Sequence, residues 1–224
     1  AREILYIGLS GQLSGALTTA QSAALMIREE QAGVEIACLD SRLATIAEGF
    51  LAIEAARLAA QGLHLAELLS RLEALRRRIG FVGSLETLEY LARGGRIGKA
   101  AYLLSNATQI LPLLSFNDEG EVIPINLVHG YQHALEEMVH YTRDHAPAHN
   151  RLTLAVMHAD SLAWAESLCT LADERLDPEE LLLVDFTPVM VAHSGPGILG
   201  LASAHLIQHQ ARLLGADAGP LCLR

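Results

Sequence analysis

Aromatic side chains make up only 4% of this 224-residue chain, although 51% of it is hydrophobic. The core must therefore be built from Leu, Ala, Ile and Val. Positive charge is also short: 16 Lys and Arg stand against 26 Asp and Glu, a formal net charge of −10. Without a basic stripe to neutralise phosphates, nucleic-acid binding is disfavoured, and so is docking on an anionic membrane surface. The three cysteines, Cys38, Cys169 and Cys222, are scattered and lack CxxC spacing. That excludes a disulfide scaffold and a thiolate zinc site, and it suits a reducing compartment. No apolar run approaches the roughly 18 residues of a membrane span. The opening AREILYIGLS lacks the order of a signal peptide. A soluble, cytoplasmic protein is the expectation.

What is present is an alternation of short apolar runs with helical patterns. EILYIGL and VEIACLD read as buried strands, and ALTTAQSAALMIREE between them reads as a helix. Asp40-Ser41 is placed to cap a helix over Arg42–Gln61. Leu65, Leu68, Leu69, Leu72 and Leu75 form an amphipathic stripe ending at Arg76, Arg77 and Arg78. Those three cations complement a helix C-terminus. From about Ile79 the rhythm changes. IGFVGSL, ILPLLSF and EVIPINLV read as strands, the last two joined by the turn Asn117-Asp118-Glu119-Gly120. LTLAVMHA and ELLLVDFTPVMVAH are expected as later strands, with helices near Tyr131–Asp144 and Ser161–Glu174. RDHAPAHN reads as a surface loop. The fold class is α/β in two domains: a partial parallel-sheet domain over 1–78 and a mixed-sheet domain over 79–224.

Three constellations carry chemistry. Ser10-Gly11-Gln12-Leu13-Ser14-Gly15 follows a strand and opens a helix. Its glycines allow a tight turn, the helix start presents unpaired N–H groups, and two hydroxyls add donors. Such a loop can hold a carboxylate or a phosphate. It is not a nucleotide P-loop, because the GxxxxGK[ST] lysine is absent. The plain alternative is helix capping by Ser14. Leu88–Ile97 reads LEYLARGGRI, with Gly94 as a helix stop and Gly95 keeping the next turn open. Arg96 is then a fixed cation, suited to a ligand contact or to clamping a carbonyl. Val191–Gly197 reads VAHSGPG, which puts His193 and Ser194 at an expected strand end before a Gly-Pro-Gly turn. An imidazole there can donate to a carboxylate or be satisfied by backbone.

Metal and nucleophile readings are weaker. His129/His133, His145/His149 and His205/His209 are spaced i,i+4, but none carries the HExxH glutamate. No metal and no cofactor are expected. GxSxG is absent and no carboxylate neighbours His193 in sequence, so no catalytic residue is assigned.

Taken together and in this order, the motifs resemble the DegV family of fatty-acid-binding proteins. Family members carry SSGLSGT, LxxLxxGGRI, a LxPIL hairpin strand, a V-hA strand and PVI-THxGPGALG. The corresponding stretches here are SGQLSGA, LEYLARGGRI, ILPLLSF, VMHA and PVMVAHSGPGILG, and CLDSRLATIAEGF also fits. The likeness runs over nearly the whole chain. It implies two α/β domains with a long-chain fatty acid between them, its carboxylate held by hydroxyls and a histidine. Carried over by position, these are Ser14, Ser10 and His193, with Gly15, Ser194 and Arg96 of the same motifs as further contacts. It also implies a non-enzymatic carrier that presents the acyl carboxylate to a separate fatty acid kinase, in bacterial phospholipid metabolism.

The chain departs from the family pattern in three places. It starts after the family's DST and T-S-Q-P-S segments, so part of the first sheet and one ligand-contacting threonine are expected to be missing. The basic R-x-R-K-K-A segment reads Val128-His129-Gly130-Tyr131-Gln132-His133-Ala134, which weakens the expectation of kinase docking. The chain also continues past GILG through LASAHLIQHQARLLGADAGPLCLR. The rival reading is an enzyme acting on a small phosphorylated or keto substrate, related to dihydroxyacetone kinase, with His193 as its acid–base or covalent group.

Overall fold

The computed structural model describes residues 2–105, 110–146 and 152–206. His149, His209, Cys222, most of the continuation past GILG and the second half of RDHAPAHN lie outside the described residues. The chain divides into two compact units, Ala1–Arg78 with Phe116–Glu121, and Ile79–Ser115 with Val122–Arg224.

In unit 1, β1 (Glu3–Gly8) and β2 (Glu35–Asp40) pair in parallel from Glu3↔Glu35 to Gly8↔Asp40. The crossover is α1 (Ala16–Glu30), and α2 (Thr45–Ala60) and α3 (Leu65–Arg76) follow. Ala47, Phe50 and Leu51 of α2 and Leu72 of α3 are fully buried, so the aliphatic stripes form the core as their spacing predicts. Glu3 accepts at the start of α3 from Leu65 N–H at 3.4 Å, where a helix N-terminus favours negative charge. A groove lined by Glu3, Leu5, Tyr6, Ile7, Ala55 and Leu65 runs along β1. None of the expected ligand-binding residues lines it.

The hairpin tip Phe116–Glu121 belongs to unit 1, although its strands β4 (Ile110–Phe116) and β5 (Val122–His129) are counted mainly with unit 2. Asn117 organises the tip, its side-chain oxygen accepting from Glu119 N–H at 3.1 Å and Glu121 N–H at 2.8 Å. Gly120 has φ +84°, the left-handed conformation that suits glycine.

Unit 2 is a six-stranded mixed sheet in the order β5-β4-β3-β8-β6-β7, with β3 at Gly80–Ser84, β6 at Thr153–His158, β7 at Glu180–Asp185 and β8 at Leu199–Ala204. β8 runs antiparallel to both β3 and β6, while β6 and β7 are parallel. β5 carries Pro124 and lies at the sheet edge, where a missing N–H breaks no inner ladder. Helices α5 (Tyr131–His145) and α6 (Leu162–Leu176) pack Leu135, Met138 and Leu168 against Val82, Leu154, Val156, Leu199 and Leu201.

Two expectations need correction. ELLLVDFTPVMVAH is not one strand: β7 stops at Asp185, and Pro188–Ser194 forms a helix, α7. Pro188 is the cause, since at the first helical position its missing N–H is harmless and its fixed φ is preset for a helix. Asp40-Ser41 does not cap α2 either. That helix starts at Thr45, and its N-cap residue is Ala44, with no side-chain cap bond.

Leu168 is fully buried between α6 and the sheet. Leu168→Ala should lower stability by about 2–5 kcal/mol through lost transfer energy and a residual cavity. Urea denaturation followed by circular dichroism checks this, and a loss below about 1 kcal/mol would contradict the packing described.

Candidate functional site

The loop after β1 is drawn tight by backbone bonds from Leu13 N–H (2.9 Å) and Ser14 N–H (3.1 Å) to the Ser10 carbonyl. Ser10 is completely buried; its hydroxyl donates to the Gly120 carbonyl at 2.7 Å and accepts from Gln12 N–H at 3.2 Å. Ser14 is half-buried, and its Oγ accepts from Ala16 N–H at 3.1 Å. Capping and ligand binding are therefore compatible in Ser14, because accepting from Ala16 leaves the hydroxyl proton to donate. Gly15 occupies the N-cap position of α1 and is exposed, with no atom within 4 Å of where a Cβ would stand. No acidic residue lies in the first turn of α1, so its positive end remains uncompensated there.

Asp40 does its work here and not at α2. Its carboxylate accepts from Gly11 N–H, at 3.3 Å to either oxygen, and from Arg42 N–H at 2.8 Å. Arg42 and Thr45 both have positive φ, +54° and +68°, so the segment after β2 holds two non-glycine residues in a costly conformation. Arg42 donates on to the Asp118 carbonyl at 3.0 Å. Burial, and after it the Asp40 charge, push the Glu48 carboxyl up to about 7. Sequence reading missed Glu48, which stands eight residues from Asp40 and is brought near it only by the turn into α2.

In unit 2, His193 and Ser194 end α7, followed by Gly195 with φ +83°. Ser194 is buried and its Oγ donates to the Met190 carbonyl at 2.8 Å. The half-buried His193 ring lies over Gly94, whose α-carbon follows α4 (Glu89–Arg93). Arg96 is exposed, and its Nη1 donates to the Gly94 carbonyl at 2.6 Å. Of the expected ligand-binding residues in unit 2, His193, Ser194 and Arg96 thus share one neighbourhood.

Two other polar groupings bear on chemistry. Ser84, Leu199, His158 and Asp185 share one row of the sheet, across β3, β8, β6 and β7. Leu199 separates the serine from the histidine by two strand spacings, about 10 Å between backbones, so this is not a hydrolytic triad. Among the described residues no group of three or more His, Cys, Asp and Glu could hold a metal ion. His133, of the described pair with His129, has its ring nitrogen 3.0 Å from the His129 carbonyl. Among the described residues, no helix is long and apolar enough to cross a membrane.

A family model described as "Uncharacterised protein, DegV family" matches residues 1–205. The chain belongs to the DegV family. It is 32% identical over 203 residues to a DegV domain-containing protein of Streptococcus pyogenes, covering 89% of this chain and 69% of that one. A Clostridium acetobutylicum DegV domain-containing protein is 33% identical, with 89% and 70% covered. Among solved structures, a DegV family protein from Thermus thermophilus, described for its fatty acid binding, superposes with a TM-score of 0.84. It is 29% identical, and the match covers 92% of this chain and 72% of that one. The mixed α/β architecture is therefore that of DegV proteins, a small parallel sheet in one unit and a larger mixed sheet in the other.

Glu48 supplies a pH test. Its folded value lies above that of an unfolded glutamate, so the folded state holds the proton more tightly. Stability contributed by the protonated form is complete below about 4.5 and falls as pH rises to about 7. Glu48→Gln should therefore gain on the order of 1 kcal/mol over wild type at pH 8, discounted for partial exposure, and almost nothing at pH 4.5. Thermal melts across that range check the sign; an equal gain at both pH values would contradict it.

Proposed function

We propose that this chain is a cytoplasmic carrier that binds a long-chain fatty acid and presents its carboxylate to a separate fatty acid kinase. The supporting observation is the 29% identity and 0.84 TM-score to the Thermus thermophilus protein described for fatty acid binding, over 92% of this chain. The Ser14 hydroxyl and the His193 imidazole are the proposed carboxylate donors. Ser10 braces the first loop from beneath, and Gly15 opens the N-terminal turn of α1 to the ligand. Ser194 and Arg96 support the second loop. No catalytic residue, metal or cofactor is assigned.

The energetics favour a lipid over a small polar anion. Burying about fourteen methylenes yields on the order of 11 kcal/mol gross, at about 0.8 kcal/mol each. That exceeds the lower estimates of association cost and allows micromolar or tighter binding. The polar donors chiefly avoid the penalty of a desolvated carboxylate and fix its orientation.

Native mass spectrometry with organic extraction of protein purified from cells should find a co-purified fatty acid. Ser14→Ala should weaken palmitate binding by about 1–3 kcal/mol, one lost hydrogen bond to a charged group. His193→Gln should keep measurable affinity, because an amide can still donate. Turnover of dihydroxyacetone or simple phosphosugars that disappears in His193→Gln, with no lipid bound by any form, would replace the carrier with an enzyme. Kinase-dependent phosphorylation of the bound acid tests the partner separately.

A further inference from the structure

We propose that Gly94 is a positioning residue for His193: the absence of a side chain at Gly94 sets where the imidazole stands. An ideal Cβ on Gly94 would lie 2.6 Å from His193 Nδ1, 3.4 Å from its Cε1 and 3.2 Å from the Tyr90 carbonyl. Ordinary contact between such atoms is about 3.5–4.0 Å, so the ring would have to retreat by roughly 1 Å. That displacement is enough to take a hydrogen bond from good geometry to none.

The two glycines of the pair serve different ends. Gly95 has φ +71° and nothing within 4 Å of a built Cβ, so glycine there supplies conformation. Gly94 has φ −75° and ψ −12°, which any residue adopts, so glycine there supplies space. The wall at Gly94 is also held from several directions. Its N–H donates to the Tyr90 carbonyl at 2.9 Å, and its own carbonyl accepts from Arg96 Nη1 at 2.6 Å. Arg96 N–H in turn donates to the Leu91 carbonyl at 2.9 Å. The backbone is braced, so a side chain at Gly94 displaces the histidine and not the turn. On the opposite side the Tyr90 ring fills the space at Gly195, where a Cβ would come within 2.5 Å of Cδ2. The helices α4 and α7 are therefore interlocked through Tyr90 and the His193 ring, each seated against a glycine of the other segment.

The role of the imidazole as carboxylate donor rests on the fatty-acid reading above, but its placement by Gly94 does not, and one experiment separates the two. In ligand-free protein, nuclear Overhauser contacts between the Gly94 α-protons and the His193 ring are expected without any substitution. In Gly94→Ala the His193 ring resonances should shift, whereas in Gly95→Ala they should stay in place despite lost stability. Palmitate titration of Gly94→Ala, His193→Ala and the double variant then reads the coupling. Gly94→Ala should weaken palmitate about tenfold in the wild-type background and less than about twofold in His193→Ala, as coupled neighbours require. Equal penalties in both backgrounds where His193→Ala itself weakens palmitate, absent Overhauser contacts, or unmoved ring resonances in Gly94→Ala would each overturn the positioning role. Palmitate binding that His193→Ala leaves intact, with the contacts and shifts as expected, would overturn the carboxylate role alone.

Discussion

Ser10 has no exposed surface, and a buried hydroxyl without partners would be costly. It is satisfied by donating to Gly120 and accepting from Gln12, which makes one side chain the junction of the β1 loop and the hairpin tip. Space is equally constrained, since a Cβ on Gly120 would lie 2.3 Å from Ser10 Oγ and 2.9 Å from the Arg42 α-carbon. Three segments distant in sequence therefore meet within one side chain's reach. Asp40 completes the arrangement from β2 by accepting from Gly11 and Arg42. The loop that carries Ser14 is thus braced from below by hydrogen bonds to β2 and to the hairpin tip.

Unit 2 solves the same problem with glycine packing instead of hydrogen bonds. Gly94, Gly195 and Gly197 each leave room for a side chain of another segment: His193, Tyr90 and Glu86 respectively. Gly195 and Gly197 also have positive φ, +83° and +77°, so both space and conformation select glycine there. In unit 1 a polar side chain joins backbones, whereas in unit 2 bare backbones admit side chains. Glycine seats of this kind tolerate little change, because any added carbon meets a neighbour inside contact distance.

Much of the fold was legible in the sequence. The runs EILYIGL, VEIACLD and LTLAVMHA became β1, β2 and β6, and the Leu stripe from Leu65 to Leu75 became α3. Asn117–Gly120 formed the turn its composition indicated. The misreadings have physical causes. TPVMVAH is a short apolar run, and periodicity cannot tell a strand from one helical turn at that length; Pro188 decided it. Asp40 had several backbone N–H groups within reach, and proximity in space favoured Gly11, 29 residues away, over the start of α2. The hairpin tip crossed into unit 1 because Ser10 and Arg42 hold its carbonyls, contacts that no local pattern announces. The family motifs were legible as a set, but the pairing of Gly94 with His193 depends on two helices meeting.

The segment Val128–Ala134 was read as a lost basic patch, and the structure gives it other work. Tyr131 opens α5 and stacks on Trp164 of α6, with ring centroids 4.8 Å apart and planes 11° from parallel. Its hydroxyl donates to Glu86 Oε1 at 2.5 Å, and burial together with that bond raises the phenol above its ordinary value. The same Glu86 carboxyl occupies the space a Cβ would need at Gly197, four residues past His193. A guanidinium at this position would meet Glu86 as an ion pair, whereas a phenol meets it as a neutral donor and leaves the carboxylate its charge. No Lys or Arg lies between Val122 and Val139, so this stretch sets the aromatic stack beside carboxylates with no side-chain cation of its own.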